Sequence, residues 1–171
     1  MRSSSRHHGL GLAPFILCAW VAQASAETLN VGPGETYKTI AAAVAASHDG
    51  DEIAVKAGLY DNDYAEITKK VTLTAVGGFA RLRSTGLIPN RKAILITDAD
   101  VTIKGFEFSG AKVSSGDGGN GAGIRYQSGN LVVEGCYFID NQDGILGDGT
   151  GTVTIDKSEF FENGARSKSV V

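Results

Sequence analysis

Polar side chains that can bind ligands or transfer protons recur at matching positions of three similar eight-residue segments. The segments are VTIKGFEF (101–108), LVVEGCYF (131–138) and VTIDKSEF (153–160). Their alignment gives two polar columns, which contain Lys104, Glu134 and Asp156 in one and Glu107, Tyr137 and Glu159 in the other. Carboxylates can bind Ca²⁺, a tyrosine ring can stack on a sugar, and paired carboxylates can cleave a glycosidic bond. A charged outer surface that keeps the protein in solution is the simpler interpretation, and we prefer it from sequence alone.

Histidine and cysteine offer little further chemistry. Of the three histidines, His7 and His8 fall in the first 26 residues, which have the features of a removable leader. Once they are removed, His48 alone remains, which is too few for a metal site built on several histidines. Cys136 lies in an apolar column, where packing is a simpler role than nucleophilic chemistry.

The leader has the pattern of a secretory signal peptide. Arg2 and Arg6 give a positive start, residues 10–21 are mostly apolar, and residues 24–26 read Ala-Ser-Ala, a cleavage signal. We expect cleavage after Ala26 and a secreted or periplasmic protein. The remaining 171 − 26 = 145 residues, 27–171, are enough for a single domain with a hydrophobic core.

The charge of the mature chain narrows the possible partners. Loss of Arg2 and Arg6 reduces 16 basic residues to 14, against 19 acidic ones, so the net charge is 14 − 19 = −5. This charge disfavours nucleic acid and anionic membranes as partners. The apolar run of the leader is too short to span a membrane comfortably. Cys136 is the only cysteine after residue 26, so no disulfide can form within the mature chain.

The mature chain begins with a helical pattern and continues with β-type patterns. Residues 36–50 predict a helix with Thr36 as its N-cap and an apolar stripe that includes Tyr37, Ile40 and Val44. After it come short β-type runs separated by Gly, Asn, Asp or Ser; they are EIAV, VTLTAV, AILIT, VTIKGFEF, GIRYQ, LVVEGCYF, GIL and VTIDKSEF. The sequence therefore predicts an all-β domain with one helix at its start.

The spacing of the three aligned segments predicts a solenoid. Their apolar columns alternate with the polar ones on both sides of a break at Gly105, Gly135 and Lys157, which indicates a bend between two short strands. Asn141 and Asn163 follow their phenylalanines by three residues and are expected to stack in adjacent turns. One turn cannot bury its apolar residues until the next turn covers them, so the turns must stack.

These repeats, together with GETYKTIAAAVAASHDGDEIAVKAGLY at 34–60, resemble the right-handed parallel β-helix proteins of the pectin-lyase-like superfamily. The resemblance implies a capping helix at 36–50, coils from about 52 to 164, and function on outward side chains of one parallel sheet. It also implies activity on acidic polysaccharides, as a lyase, hydrolase or epimerase. Arg125, in GIRYQ, is similar to the arginine that acts as base or charge neutraliser in pectate-type lyases, but the calcium-binding acidic motif of those enzymes is absent.

Two hypotheses follow for function. We prefer an exported, non-catalytic β-helix that binds polysaccharide or serves as a surface scaffold; the alternative is an enzyme of the lyase, hydrolase or epimerase kind, with Ca²⁺ as a possible cofactor. The third octet has no completed coil after it, so we expect a C-terminally truncated form that self-associates through its last coil. The candidate ligand-binding residues are Lys104, Glu107, Arg125, Glu134, Tyr137, Asp156 and Glu159.

Overall fold

The structure, a computed structural model, describes residues 25–164. The predicted signal peptide lies outside the described residues except for Ser25 and Ala26, and so does the segment after Gly164. Within the described range, no helix has the length and apolarity needed to cross a membrane.

The chain opens with strand β1 (Thr28–Val31), helix α1 (Ile40–Ala46) and strand β2 (Glu52–Asp61). The helix is shorter than the predicted 36–50 segment because Tyr37 forms a parallel bridge with Val31 and is therefore still extended. Its N-cap is consequently Thr39, not Thr36, and the Thr39 hydroxyl accepts a hydrogen bond from the Ala42 N–H at 3.1 Å. Ile40 and its neighbours bury one face of the helix against the first coil.

Eleven further strands follow in the described part of the chain. They are β3 (Ala65–Ile67), β4 (Val71–Arg83), β5 (Ala93–Asp98), β6 (Val101–Lys104), β7 (Phe106–Ser109), β8 (Ala122–Ser128), β9 (Leu131–Glu134), β10 (Tyr137–Ile139), β11 (Asp143–Thr150), β12 (Val153–Asp156) and β13 (Glu159–Phe161). Together with β1 and β2 they form a nine-stranded and a four-stranded sheet, and every strand pairing is parallel. Three strand segments per turn stack on those of the next turn, which confirms the predicted solenoid.

The predicted apolar columns are present with the predicted register. Val71 pairs with Val101, which pairs with Leu131 and then Val153, and the next apolar column follows the same order. The break between the two strands of each octet is a single left-handed residue: Gly105 at φ 72°, Gly135 at φ 59° and Lys157 at φ 47°. Glycine suits this conformation, while Lys157 adopts it at a cost of about 1–2 kcal/mol.

Besides its Val, Ile and Leu columns, the core contains a column of stacked phenylalanines with a buried asparagine beside it. The ring centroids of Phe108 and Phe138 are 5.0 Å apart, and those of Phe138 and Phe160 are 4.7 Å apart. Asn141 is 2% exposed beside this column, and its amide donates a hydrogen bond to the Asn163 side chain at 3.0 Å. The predicted asparagine stack is thus confirmed.

Candidate functional site

The two predicted polar columns lie side by side on the outer face of the nine-stranded sheet. In the first, Lys104 pairs across the sheet with Glu134, and Glu134 with Asp156. In the second, Glu107 pairs with Tyr137, and Tyr137 with Glu159. Alternation along each strand turns these side chains outward, because the residues between them are in the core. Six of the seven candidate residues therefore share one surface.

Each carboxylate of the first column forms an ion pair with a lysine. The Nζ of Lys104 lies 3.1 Å from Oε2 of Glu134, and the Nζ of Lys157 lies 3.3 Å from Oδ2 of Asp156. Glu134 and Asp156 are like charges on adjacent strands, and a lysine beside each carboxylate offsets their repulsion. The column is a chain of exposed ion pairs, each worth at most about 1 kcal/mol of stability.

The second column gains an arginine from the preceding coil. Arg81 pairs with Glu107 across the sheet, and its Nε lies 3.4 Å from the Glu107 carboxylate. The Tyr137 hydroxyl donates a hydrogen bond to Oε1 of Glu159 at 3.3 Å. The negative charge of Glu159 raises the pKa of Tyr137, so this hydroxyl remains a protonated donor. Alternating donors and acceptors therefore run along the solenoid axis.

A widened bend in the first two coils overhangs the second column. Thr74 pairs with Lys104 and Ala80 with Phe106, yet residues 75–79 separate the first pair from the second where the next coil has only Gly105. The extra residues are largely exposed, and β2 is also widened, but less: residues 55–57 separate the partners of Thr74 and Ala80, and the register shifts after Lys56. We call residues 56–59 and 76–79 the bend ridge.

Aromatic contact joins the bend ridge to the predicted columns. The rings of Phe79 and Tyr137 lie 5.0 Å apart at an interplanar angle of 89°. Such an edge-to-face pair is worth about 0.5–1.5 kcal/mol beyond the area that it buries. Strand β7 lies between β4, which carries Phe79, and β10, which carries Tyr137. Phe79 must therefore extend over β7 to make this contact.

The bend ridge also concentrates exposed apolar surface. Leu59 is 52% exposed, Val76 is 50% and Phe79 is 38%. Large apolar side chains seldom cluster on the surface of a soluble protein without a partner. The outer face thus combines a small apolar and aromatic platform with flanking hydrogen-bonding groups.

Phe79 was not among the residues proposed from sequence. Its signal was present, because VTLTAVGGFARL at 71–82 is the octet VTIKGFEF with additional residues at the bend. The strand pattern of the sequence stops at Val76, so it gives no sign that the same strand resumes after the inserted residues. Aligning on the final apolar column, where Leu82 pairs with Phe108, reveals the extra residues.

Arg125, the seventh candidate, lies on the other sheet. It pairs with Ile96 and Leu146 in the four-stranded sheet, and its guanidinium donates a hydrogen bond to Asp148 at 3.0 Å. The structure therefore does not bring Arg125 together with the two polar columns. An active site that combines this arginine with those carboxylates has no support in this geometry.

The glycine-rich insertion at 111–119 is fixed by the following coil. The side-chain oxygen of Gln142 accepts hydrogen bonds from the N–H groups of Val113 and Gly121, both at 2.7 Å. Asp117 at its tip forms an ion pair with Arg91 at 3.2 Å. The insertion is thus a tethered surface loop with its carboxylate already occupied.

The acidic side chains do not form a metal cage. Among residues 25–164, no group of three or more His, Cys, Asp or Glu side chains is close enough to hold a metal ion. The carboxylates of the two polar columns form ion pairs with basic side chains or, for Glu159, accept the Tyr137 hydroxyl. This arrangement is a poor fit to the six to eight oxygen ligands of Ca²⁺.

Parallel strands that stack coil upon coil, with a helix near the start, define the class of a right-handed parallel β-helix. The chain belongs to the family described as right handed beta helix region, whose model matches residues 71–169, more than half of the chain. Comparison with curated proteins and comparison with solved structures each gave no significant match. The family establishes the architecture, and the side chains of the outer face must indicate the function.

Proposed function

We propose that this protein is an exported β-helix that binds polysaccharide on the outer face of its nine-stranded sheet and does not cleave it. The observation that carries the proposal is the contact between Phe79 and Tyr137, two partly exposed rings beside a row of hydrogen-bonding groups. Sugars present apolar C–H faces and polar hydroxyl edges, so an aromatic surface flanked by donors and acceptors suits them. We propose in addition that the protein is exported and that it is related to the pectin-lyase-like proteins that it resembles.

A binding role accounts for the ion pairs better than catalysis does. The carboxylates of Glu107, Glu134 and Asp156 each hold a basic side chain, and Glu159 accepts the hydroxyl of Tyr137. A lyase, hydrolase or epimerase needs a group free to move a proton at the sugar. The separation of Arg125 on the other sheet weakens that alternative further.

Affinity electrophoresis tests the binding proposal. The mature protein is run in native gels with and without dissolved polysaccharides, beside the variants Phe79→Ala and Tyr137→Ala. We expect at least one polymer to retard the protein and both substitutions to reduce the retardation several-fold. Leu87→Ala, which truncates a 63% exposed side chain outside the bend ridge, is the matched control. If no polymer retards the protein, the binding proposal is wrong and the role of a surface scaffold replaces it.

Absorbance measurements test the absence of catalysis. Uronic-acid polymers are incubated with the protein, with and without Ca²⁺, and unsaturated products are followed in the ultraviolet. We expect no product. Release of product that disappears in Glu134→Ala or Asp156→Ala would replace the binding proposal with an enzymatic one.

We also propose self-association through the edge formed by β12 and β13. These strands are the two ends of the sheet order within the described residues, and edge strands readily pair with another chain. Val153, Ile155 and Phe160 continue the apolar core columns but are 40%, 46% and 47% exposed. Sedimentation of the protein should show dimers at high concentration, and Ile155→Asp should abolish them; a monomer at every concentration contradicts the proposal.

A further inference from the structure

We propose that the polysaccharide recognised at the bend ridge is neutral, with hydroxyl groups and no carboxylate or sulfate. This inference deepens the proposed function and rests on it. The resemblance to pectin-lyase-like proteins implies the opposite class of polymer, so the two expectations are separable by experiment. The distribution of charge on the outer face supports a neutral ligand.

Every cation on the nine-stranded sheet and its bends is already in an ion pair, within the described residues. The pairs are Lys56–Glu35, Arg81–Glu107, Arg83–Asp61, Lys104–Glu134 and Lys157–Asp156. The Arg83 pair is bidentate, with both hydrogen bonds at 2.9 Å. A uronic-acid or sulfated polymer would have to displace these partners, because no cation on this face is free to meet its negative charges.

The charge beside the aromatic pair is negative. The strands and bends of the sheet carry five lysines and arginines against six carboxylates, a net charge of −1. Two of these carboxylates have no cationic partner within the described residues: Glu159, and Glu52 at the far end of the sheet. Glu159 accepts the Tyr137 hydroxyl, so an anionic sugar stacked on Tyr137 would face a carboxylate at close range. A neutral sugar meets no such repulsion.

The same groups are well suited to hydroxyls. Carboxylates accept hydrogen bonds from sugar hydroxyls, while Arg81 keeps N–H groups to donate to them. The exposed side chains of Leu59, Val76 and Phe79 provide the apolar surface against which the C–H face of a sugar ring packs. The paired charges, the exposed apolar side chains and the hydrogen-bonding groups of this surface therefore favour a neutral polysaccharide.

Native gels containing single polymers test this inference. Neutral probes are hydroxyethyl cellulose, galactomannan and dextran; acidic probes are polygalacturonate and alginate. We expect at least one neutral polymer to retard the protein several-fold, with little change between about 20 and 150 mM salt, because no charge is being screened. The acidic polymers should not retard it.

A charge-release variant sharpens the test. Glu107→Gln frees Arg81 beside the aromatic pair and should create salt-sensitive retardation by polygalacturonate. The matched control, Asp140→Asn, frees Lys112 from a comparable 3.3 Å ion pair at a turn outside the bend ridge and should not. Thermal unfolding of both variants confirms that they are folded.

The outcomes separate the two proposals. Retardation of the unsubstituted protein by acidic polymers alone overturns the neutral class and leaves polysaccharide binding in place. Retardation by no polymer overturns both. Self-association that is lost in Phe79→Ala would show that the bend ridge is an interface between copies of the chain, which also overturns the neutral-sugar inference.

An independent inference concerns the N-terminus, and it rests on cleavage after Ala26. The backbone nitrogen of Glu27 lies 2.8 Å from Oδ1 of Asp51, a side chain that is nearly buried, with its residue 3% exposed. Ser25 and Ala26 before it are exposed and outside any strand. We infer that cleavage converts this hydrogen bond into an ion pair between the new α-ammonium group of Glu27 and the Asp51 carboxylate.

The surroundings of Asp51 support this assignment. Its second oxygen accepts the His48 N–H at 2.7 Å, and the His48 imidazole, whose side chain is 79% exposed, lies 3.8 Å away. Lys69 is the other nearby cation. Asp51 thus has partners on both oxygens, and a full positive charge at Glu27 would strengthen the bond to Oδ1 without moving an atom.

The test compares a chain that begins at Glu27 with one that begins at Ala26, each with and without Asp51→Asn. We expect the equilibrium constant for unfolding at pH 7 to be about five- to tenfold smaller when Glu27 carries the free amine. Asp51→Asn should remove the difference. As a second readout, the α-amino pKa of Glu27 should lie above its ordinary value of about 8. Equal stability of the two chains, or an ordinary α-amino pKa, overturns the inference.

Discussion

The side-chain amide of Asn141 lies directly over that of Asn163, its nitrogen 3.0 Å from the Asn163 oxygen. Asn141 also accepts a hydrogen bond from the Ala111 N–H at 2.9 Å and donates one to the Phe108 carbonyl at 3.0 Å. One buried side chain therefore satisfies backbone groups of the preceding coil while it is held by the following one. This arrangement links three coils without a disulfide.

Replacement of Asn141 is expected to be costly. Asn141→Ala leaves the Ala111 N–H and the Phe108 carbonyl without partners in a buried site, at a cost of about 2–4 kcal/mol in the free energy of unfolding. Asn163→Ala should cost less, because Asn163 is only half-buried. Urea denaturation of both variants measures the difference. Equal losses would contradict a special role for the buried amide.

Gly123 is predicted to tolerate no side chain. A Cβ there would lie 2.8 Å from the Gly144 carbonyl oxygen and 2.9 Å from the Phe138 ring, so Gly123→Ala should cost about 1–3 kcal/mol. Gly86→Ala is the matched control, because a Cβ at that position meets nothing within 4 Å. It should be neutral or slightly stabilising. The urea midpoints of the two variants, at unchanged slope, report the result.

The phenylalanines of the stacked column are predicted to contribute unequally to the free energy of unfolding. Phe138 is fully buried between Phe108 and Phe160, and Phe138→Ala should lower the free energy of unfolding by about 3–5 kcal/mol. Phe160 is 47% exposed, so Phe160→Ala should cost less than half as much. Thermal denaturation of the two variants distinguishes them. Both variants are measured at low protein concentration, where the proposed self-association is absent. A larger loss for Phe160→Ala there would show that its ring is buried in the monomer.

The stability of the protein should depend on pH through Asp51. Hydrogen bonds from the backbone N–H groups of Glu27 and His48 lower the pKa of this carboxyl below its ordinary value. A lowered folded-state pKa stabilises the protein above the unfolded pKa of about 3.9, and that stabilisation is lost as the pH falls through the folded value. Asp51→Asn should therefore be less stable at pH 7 and show a shallower loss of stability below about pH 4. An unchanged acid profile would assign the acid sensitivity to other carboxyls.

The architecture was predictable because its signals are repeated. The same apolar column occurs in all three octets, at Val101, Leu131 and Val153. Each octet also has its bend at the same position, at Gly105, Gly135 and Lys157. Repetition averages out the weakness of any single strand pattern. The strands β1 and β3 were not predicted, because each is short and occurs without a recognisable copy of itself.

The candidate surface was predictable only in part. The polar columns followed from alternation, which depends on local spacing. The positions of Phe79 and Arg81 on this surface could not be predicted without the strand register between coils of unequal length. Arg81 and Glu107 form an ion pair although their coils have bends of different length. The sheet membership of Arg125 likewise depends on where the chain turns, and its single-strand pattern contains no such information.

The helix α1 has a consequence for the order in which the protein folds. It packs at the beginning of the solenoid, where the carboxylate of Asp63 accepts hydrogen bonds from the N–H groups of Ile40 and Ala41. Each later coil pairs mainly with its immediate predecessor, so the chain can add one coil at a time to a template that is already closed at its first end. A polypeptide that crosses a membrane N-terminus first would present its coils in the order in which they can dock. For a chain exported as proposed, folding coil by coil on the far side of the membrane is the expected result, with little need to hold a long unfolded segment.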